Sequence, residues 1–218
     1  MIRFKVCCIQ NVDEMRLAVR YGASAIGLVS AMPSGPGVVS DETAALVARS
    51  VPPGVDSFLL TSLQTPKGVI EQQRRIGCSI LQLVDAFPVS GYADLRAALP
   101  GVRIVQVIHV QHAGSVEEAV AVSSQVDGLL LDSGTPNAAV KVLGGTGRVH
   151  DWSLSREICS RVSIPVYLAG GLKTGNVAEA FTSVRPFALD VCSGLRIEGL
   201  LSESRLDEFV GALQSIPA

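Results

Sequence analysis

Residues 127–152 read DGLLLDSGTPNAAVKVLGGTGRVHDW. The segment opens as an apolar run that closes on an acid, Asp132. It then passes through turn residues to Gly144-Gly145-Thr146-Gly147, ahead of a helix-like stretch that starts near Trp152. Two more glycine clusters close later apolar runs, Gly170-Gly171 in PVYLAGG and Gly194 in ALDVCSG. Glycine at such a place leaves backbone N–H groups unobstructed, and a following helix N-terminus adds positive potential; together these make a cradle for phosphate. One such turn proves little, because tight turns need glycine for positive φ. Three in a row, after consecutive apolar runs, match the late phosphate site of a (β/α)8 barrel, built from the last loops and a short extra helix.

Outward from this segment the same alternation covers the chain. Val-, Ile- and Leu-rich runs occur at 4–9, 24–29, 56–61, 79–84, 103–110, 127–132, 165–170 and 188–194. They are continuously apolar rather than alternating, as expected of parallel strands buried on both faces. Between them lie helical patterns such as VDEMRLAVRYG, SDETAALVARS and SVEEAVAVSS, with Ser40 and Ser115 as capping signals. A doubly wound open sheet would place its glycine-rich turn after the first strand, but CIQNVD stands there. Eight strand–helix units with no Pro/Ser-rich linker predict one (β/α)8 TIM barrel, an α/β fold occupying 1–218 as a single domain.

Composition narrows the function class. A net charge of -2 with 48% hydrophobic and 17% charged residues describes a globular chain with no general attraction to nucleic acid or anionic lipid. No apolar run approaches the roughly 18 residues that span a bilayer, and MIRFKVCCIQ lacks the apolar core of a signal peptide. Five scattered cysteines, an odd number, do not read as a disulfide framework, so a reducing cytoplasm is expected.

In a barrel, chemistry collects where strands end at the C-terminal face. That rule selects Cys7, Ser30, Gln82, Asp85, His109, Asp132, Gly170, Gly171, Ser193 and Gly194. Each has a plain structural alternative: Cys7 as a small core residue, Asp132 as a turn cap, Asp85 as a turn former before Pro88. His109 and His112 are badly spaced for a shared metal on a strand and have no evident third ligand, so no metal is expected. Strand alternation sends Cys8, the neighbour of Cys7, outward to the helix layer.

The ordered motifs resemble the phosphoribosylanthranilate isomerase family. Lys5-Val6-Cys7-Cys8-Ile9-Gln10 is similar to K-[IV]-C-G-I-T, YGASAIGLV to G-A-D-x-[IL]-G-F-V-F, and LQL at 81–83 to the start of Q-L-H-G. LLLDS and GGTGRVHDW resemble L-L-D-[ST] and G-G-T-G-x-x-F-D-W; LAGGLKTGNVAEA and DVCSGLRIEGL resemble L-A-G-G-L-x-x-x-N-V and D-V-S-S-G-V-E-x-x-G. The resemblance implies a cofactor-independent Amadori rearrangement of a small phosphorylated substrate, with Asp132 as acid and Cys7 as base. The glycine turns themselves place phosphate binding at Gly145, Thr146, Gly147, Gly170, Gly171, Ser193 and Gly194, and the strand-end rule places other substrate contacts at Gln82, Asp85 and His109. A monomer or homodimer is expected.

The chain departs from the family pattern at several points. Gly37 stands where an arginine of the family meets the anthranilate end of the substrate, Val84-Asp85 replaces H-G, and Arg196 replaces a glutamate. Losing one charged hydrogen bond costs about 1.5–3 kcal/mol, so weak binding of phosphoribosylanthranilate is expected, relieved by Gly37→Arg. Arg196 is expected at the phosphate or in solvent, and Lys141 is within reach of the pocket. Two rival readings remain: a divergent barrel isomerase acting on another phosphorylated sugar or aminosugar, and a non-catalytic phosphate-ligand binder.

Overall fold

The computed structural model describes residues 2–33, 35–134 and 150–216. Eight parallel strands close a barrel in chain order, β8 returning to β1. They are β1 (Arg3–Val6), β2 (Ala25–Val29), β3 (Asp56–Thr61), β4 (Ile80–Leu83), β5 (Arg103–His109), β6 (Gly128–Asp132), β7 (Val166–Leu168) and β8 (Ala188–Val191). The helices that follow them are α1 (Val12–Arg20), α2 (Asp41–Ser50), α3 (Pro66–Ile76), α4 (Val89–Ala98), α5 (Gly114–Ser123), α6 (Trp152–Arg161), α7 (Val177–Val184) and α8 (Glu203–Gln214). A 3-10 turn, Ser193–Leu195, and a short hairpin of β9 (Arg196–Ile197) with β10 (Leu200–Leu201) lie between β8 and α8. The hairpin was not legible in the sequence because two-residue strands carry no periodicity.

Caps set the helix starts. Asn11 accepts from the Glu14 N–H while the Glu14 carboxylate accepts from the Gln10 N–H, a reciprocal cap for α1. Ser40 accepts from the Thr43 N–H as expected. Ser115 does not cap α5, which starts at Gly114; its buried hydroxyl instead donates to His109 O and accepts from the Gln111 N–H. It holds the end of β5 against the helix rather than starting the helix.

Two cores result from the two faces of each strand. The outer one packs strand residues such as Leu28, Leu59, Leu81 and Leu129 beneath helix residues such as Met15 and Phe209. The inner one fills the lumen with Ala25, Phe58, Ile80, Val105, Tyr167 and Ala188, and the rings of Phe58 and Tyr167 meet edge to face at 5.4 Å. These large side chains plug the barrel, so any ligand must enter at the mouth formed by the strand ends. Among the described residues, no helix is long and apolar enough to cross a membrane.

Candidate active site

One cavity opens at the C-terminal face of the barrel, with Cys7, Gln82, Asp132, Gly170, Gly171 and Ser193 among its lining residues. Asp132 is the last residue of β6 and is 9% exposed. Burial raises its pKa, opposed by the Ser133 N–H, which donates to Oδ1 at 2.7 Å, and by His109 on the adjacent strand. Cys7 follows β1 immediately, is buried, and ties its N–H to Val191 O at 2.8 Å. The acid and the thiol that the sequence singled out therefore share one pocket.

Gln82 lines the same cavity, and its buried Oε1 has no hydrogen-bond partner among the described residues. Such an acceptor is costly to leave unpaired and is suited to a donor on a ligand. Gly170 and Gly171 both have positive φ, 87° and 64°, which explains why glycine stands at each. Gly194 serves packing: a Cβ there would collide with Leu172 O. Gly145, Thr146, Gly147 and Lys141 lie outside the described residues.

Asp85 and His109 stand apart from this cavity. They line a separate recess with Gln64, Gln106 and His112. Asp85 accepts from the Ala86 N–H at 2.8 Å, the turn-forming alternative noted from its sequence. His109 donates from Nε2 to Val84 O at 3.0 Å, while His112 Nδ1 accepts from the Gly114 N–H, so each imidazole is engaged separately. Ser30 is likewise structural, donating to Leu60 O at 2.7 Å.

Cys8 corrects a sequence expectation. It does not face the helices but packs in the lumen core and lines the cavity beside Cys7. Strand alternation fails because β1 ends at Val6 and Cys8 has a φ of 64°, in the left-handed region. Its free thiol is hydrogen-bonded with that of Cys192, and this contact, then that with Cys7, then burial, push its pKa up. The same bond lowers that of Cys192; burial opposes this and the charge of Arg196 assists it.

Gly37, with a φ of 73°, lies against this residue, and a Cβ there would sit 2.5 Å from the Cys8 Cβ. An arginine at 37 is therefore incompatible with Cys8, and the two departures from the family motif are sterically one. Arg196 also differs from expectation. It is buried, 6% exposed in its side chain, and pairs with Glu14 at 3.0 Å while donating to the Cys7 and Cys8 carbonyls. Burial disfavours the Glu14 carboxylate, but Arg196 holds its pKa below the ordinary value. The arginine thus braces the end of β1.

Three site residues escaped the sequence reading. Lys5 and Asp190 form an ion pair of 2.8 Å inside the lumen, with Asp190 lining the cavity. His150 hydrogen-bonds through Nε2 to Ser155 Oγ at 2.6 Å, and its buried Nδ1 has no partner among the described residues. A Cβ on Gly170 would lie 3.1 Å from that Nδ1 and 3.3 Å from Asp132 Oδ1, so the imidazole stands beside the acid. Burial lowers the His150 pKa to about 4, keeping it neutral near pH 7. The signal for Lys5 and Asp190 was a charge inside each of two apolar strands; His150 occupies the aromatic position of the F-D-W motif.

A plugged (β/α)8 barrel with a thiol, a carboxyl whose pKa burial raises and glycine turns around one mouth has the features of a small-molecule acid–base enzyme of the barrel isomerase kind. The sequence profile of N-(5'phosphoribosyl)anthranilate (PRA) isomerase matches residues 4–212, and the chain belongs to that family. The N-(5'-phosphoribosyl)anthranilate isomerase of Methanocella arvoryzae is 35% identical over 94% of each chain. That of Halobacterium salinarum is 36% identical over 100% of this chain and 98% of its own. The crystal structure of phosphoribosyl anthranilate isomerase from Thermotoga maritima superposes with a TM-score of 0.83 at 26% identity, covering 98% of this chain and 99% of that one.

Proposed function

We propose that the protein converts N-(5'-phosphoribosyl)anthranilate to 1-(2-carboxyphenylamino)-1-deoxyribulose 5-phosphate, the aldose–ketose isomerisation of tryptophan biosynthesis, without a cofactor. The observation that supports this reading is the single cavity shared by Cys7 and by Asp132, whose burial favours the protonated carboxyl.

The chemistry assigns the roles. The Asp132 carboxyl gives its proton to the ribose ring oxygen as the C1′–O bond breaks, leaving an iminium at C1′ and a carboxylate at Asp132. The Cys7 sulfur, as thiolate, then takes the C2′ proton, and the C2′–H electrons form the enolamine that tautomerises to the ketone. A carboxylic acid with an ordinary pKa near 3.9 would have lost its proton by neutral pH; the dry setting of Asp132 favours keeping it. Gly170, Gly171 and Ser193 offer the phosphate end a turn free of obstructing side chains, and Gln82 Oε1 offers an acceptor to a substrate hydroxyl or amine. Cytoplasmic action as a monomer or homodimer, without nucleic acid, belongs to the same reading.

The test follows the loss of phosphoribosylanthranilate fluorescence with purified protein. Turnover by the wild type, reduced at least about hundredfold in kcat by Asp132→Asn and by Cys7→Ala, is the expected result. Wild-type protein that binds the substrate without turnover would favour a non-catalytic binder.

A further inference from the structure

We propose that the buried Lys5–Asp190 pair is a positioning device for the two reacting groups, its carboxylate set toward the acid Asp132 and its ammonium toward the sulfur of Cys7. This rests on the assignment of Asp132 and Cys7 as acid and base.

The pair lies one lumen layer below the mouth. Lys5 and Asp190 are register partners on β1 and β8, with side chains 0% and 7% exposed and 2.8 Å between Nζ and Oδ1. The ammonium also stands 5.0 Å from the centre of the Phe58 ring, inside the barrel. A Cβ on Gly27 would lie 2.9 Å from Cys7 Sγ and 3.1 Å from Lys5 Nζ, so the two atoms are at most about 6 Å apart. The absence of a side chain at residue 27 is what lets the ammonium face the sulfur. At the other end, Asp190 lines the same cavity as Asp132.

An ion pair taken out of water is a poor stabiliser, since well-packed apolar residues of the same volume often do as well or better. Its place between an acid and a base gives it another use. A carboxylate near Asp132 disfavours a second negative charge there, so the acid keeps its proton until the ring oxygen takes it. The ammonium lies against the sulfur that must accept a proton, at most about 6 Å away. Asp132 is raised first by burial; the Ser133 N–H and His109 oppose this, Asp190 adds to it, and Lys5 works weakly against it. Among the described residues, the titratable and charged groups facing Asp132 are Lys5 on β1, His109 on β5, His150 ahead of α6 and Asp190 on β8, with Cys7, Cys8 and Cys192 in the same cavity.

The experiment is the pH dependence of kcat on phosphoribosylanthranilate for wild type, Asp190→Asn, Lys5→Met and the double variant, with Asp132→Asn as control. The limb on which activity is lost as Asp132 ionises is expected to move to lower pH in Asp190→Asn and to higher pH in Lys5→Met. Each shift should be on the order of one pH unit, a tenfold change in the protonated-to-ionised ratio at fixed pH. Each single change leaves one buried charge unpaired and can compromise folding. The double variant removes both charges, so it is expected to fold with a limb near the wild-type position and a kcat lowered about tenfold. Shifts in the same direction, no shifts, or a double variant with wild-type kcat overturn the proposal. If instead Asp132→Asn retains activity, the acid assignment itself fails, a separate result.

Discussion

The two cores of the barrel are built to different rules. In the outer core, between strands and helices, Leu28, Leu59 and Leu129 meet helix side chains in an apolar cluster of some forty residues. The lumen core is smaller and encloses charge: Lys5 and Asp190 are paired within it, with Asp132 and the thiols of Cys7 and Cys8 at its top. The outer core can be specified by hydrophobicity and volume alone. The lumen has to hold polar groups at fixed places in a dry setting, which is where electrostatic interactions become strong enough to alter a proton's affinity.

The comparison breaks most visibly if the outer core proves to matter for chemistry. Leu59→Ala should cost about 2–5 kcal/mol of stability through lost burial and the cavity left behind. The folded fraction should retain the wild-type kcat and KM. Denaturant unfolding together with steady-state kinetics at low temperature checks this; a large fall in kcat for the folded protein would erase the division between the cores.

A smaller effect should appear at the mouth. His150 is held neutral, its folded pKa of about 4 lying below the ordinary 6.5, so the unfolded chain binds the extra proton first as pH falls. Its contribution is therefore complete above pH 6.5 and is lost as pH falls toward 4, by about 2 kcal/mol after allowing for its partial exposure. His150→Phe should flatten the stability curve in that window. An unchanged slope in urea unfolding between pH 6.5 and 4 would place the imidazole in water rather than beside Asp132.

The smallest effect tests the contact between Cys8 and Gly37. Cys8→Gly should raise stability by about 1 kcal/mol, since a left-handed φ of 64° favours glycine. Gly37→Arg alone should destabilise, because its Cβ meets that of Cys8. The two changes together should recover part of that loss, since the left-handed φ of residue 37 and the Cys8 backbone 3.1 Å away remain, and the double variant should lower KM for phosphoribosylanthranilate where Gly37→Arg alone does not. A non-additive pair in thermal unfolding and KM supports the contact; additivity removes it.

The sequence by itself determined the eight-unit alternation, the barrel and the acid at the end of β6, because continuous apolar runs and glycine turns are local signals that need no knowledge of neighbours. It also marked Cys7, since a thiol at a strand end is a local feature. The tertiary structure alone decided what those residues face. Cys8 turned inward because β1 stopped at Val6, which a period of two cannot foresee. Arg196, expected at phosphate or in solvent, is buried against Glu14, 182 positions away. Lys5 and Asp190, 185 positions apart, became one ion pair only when β8 closed on β1. Periodicity reports on a residue's own strand, while charge pairing and the dryness of a site depend on which distant strands the barrel brings together.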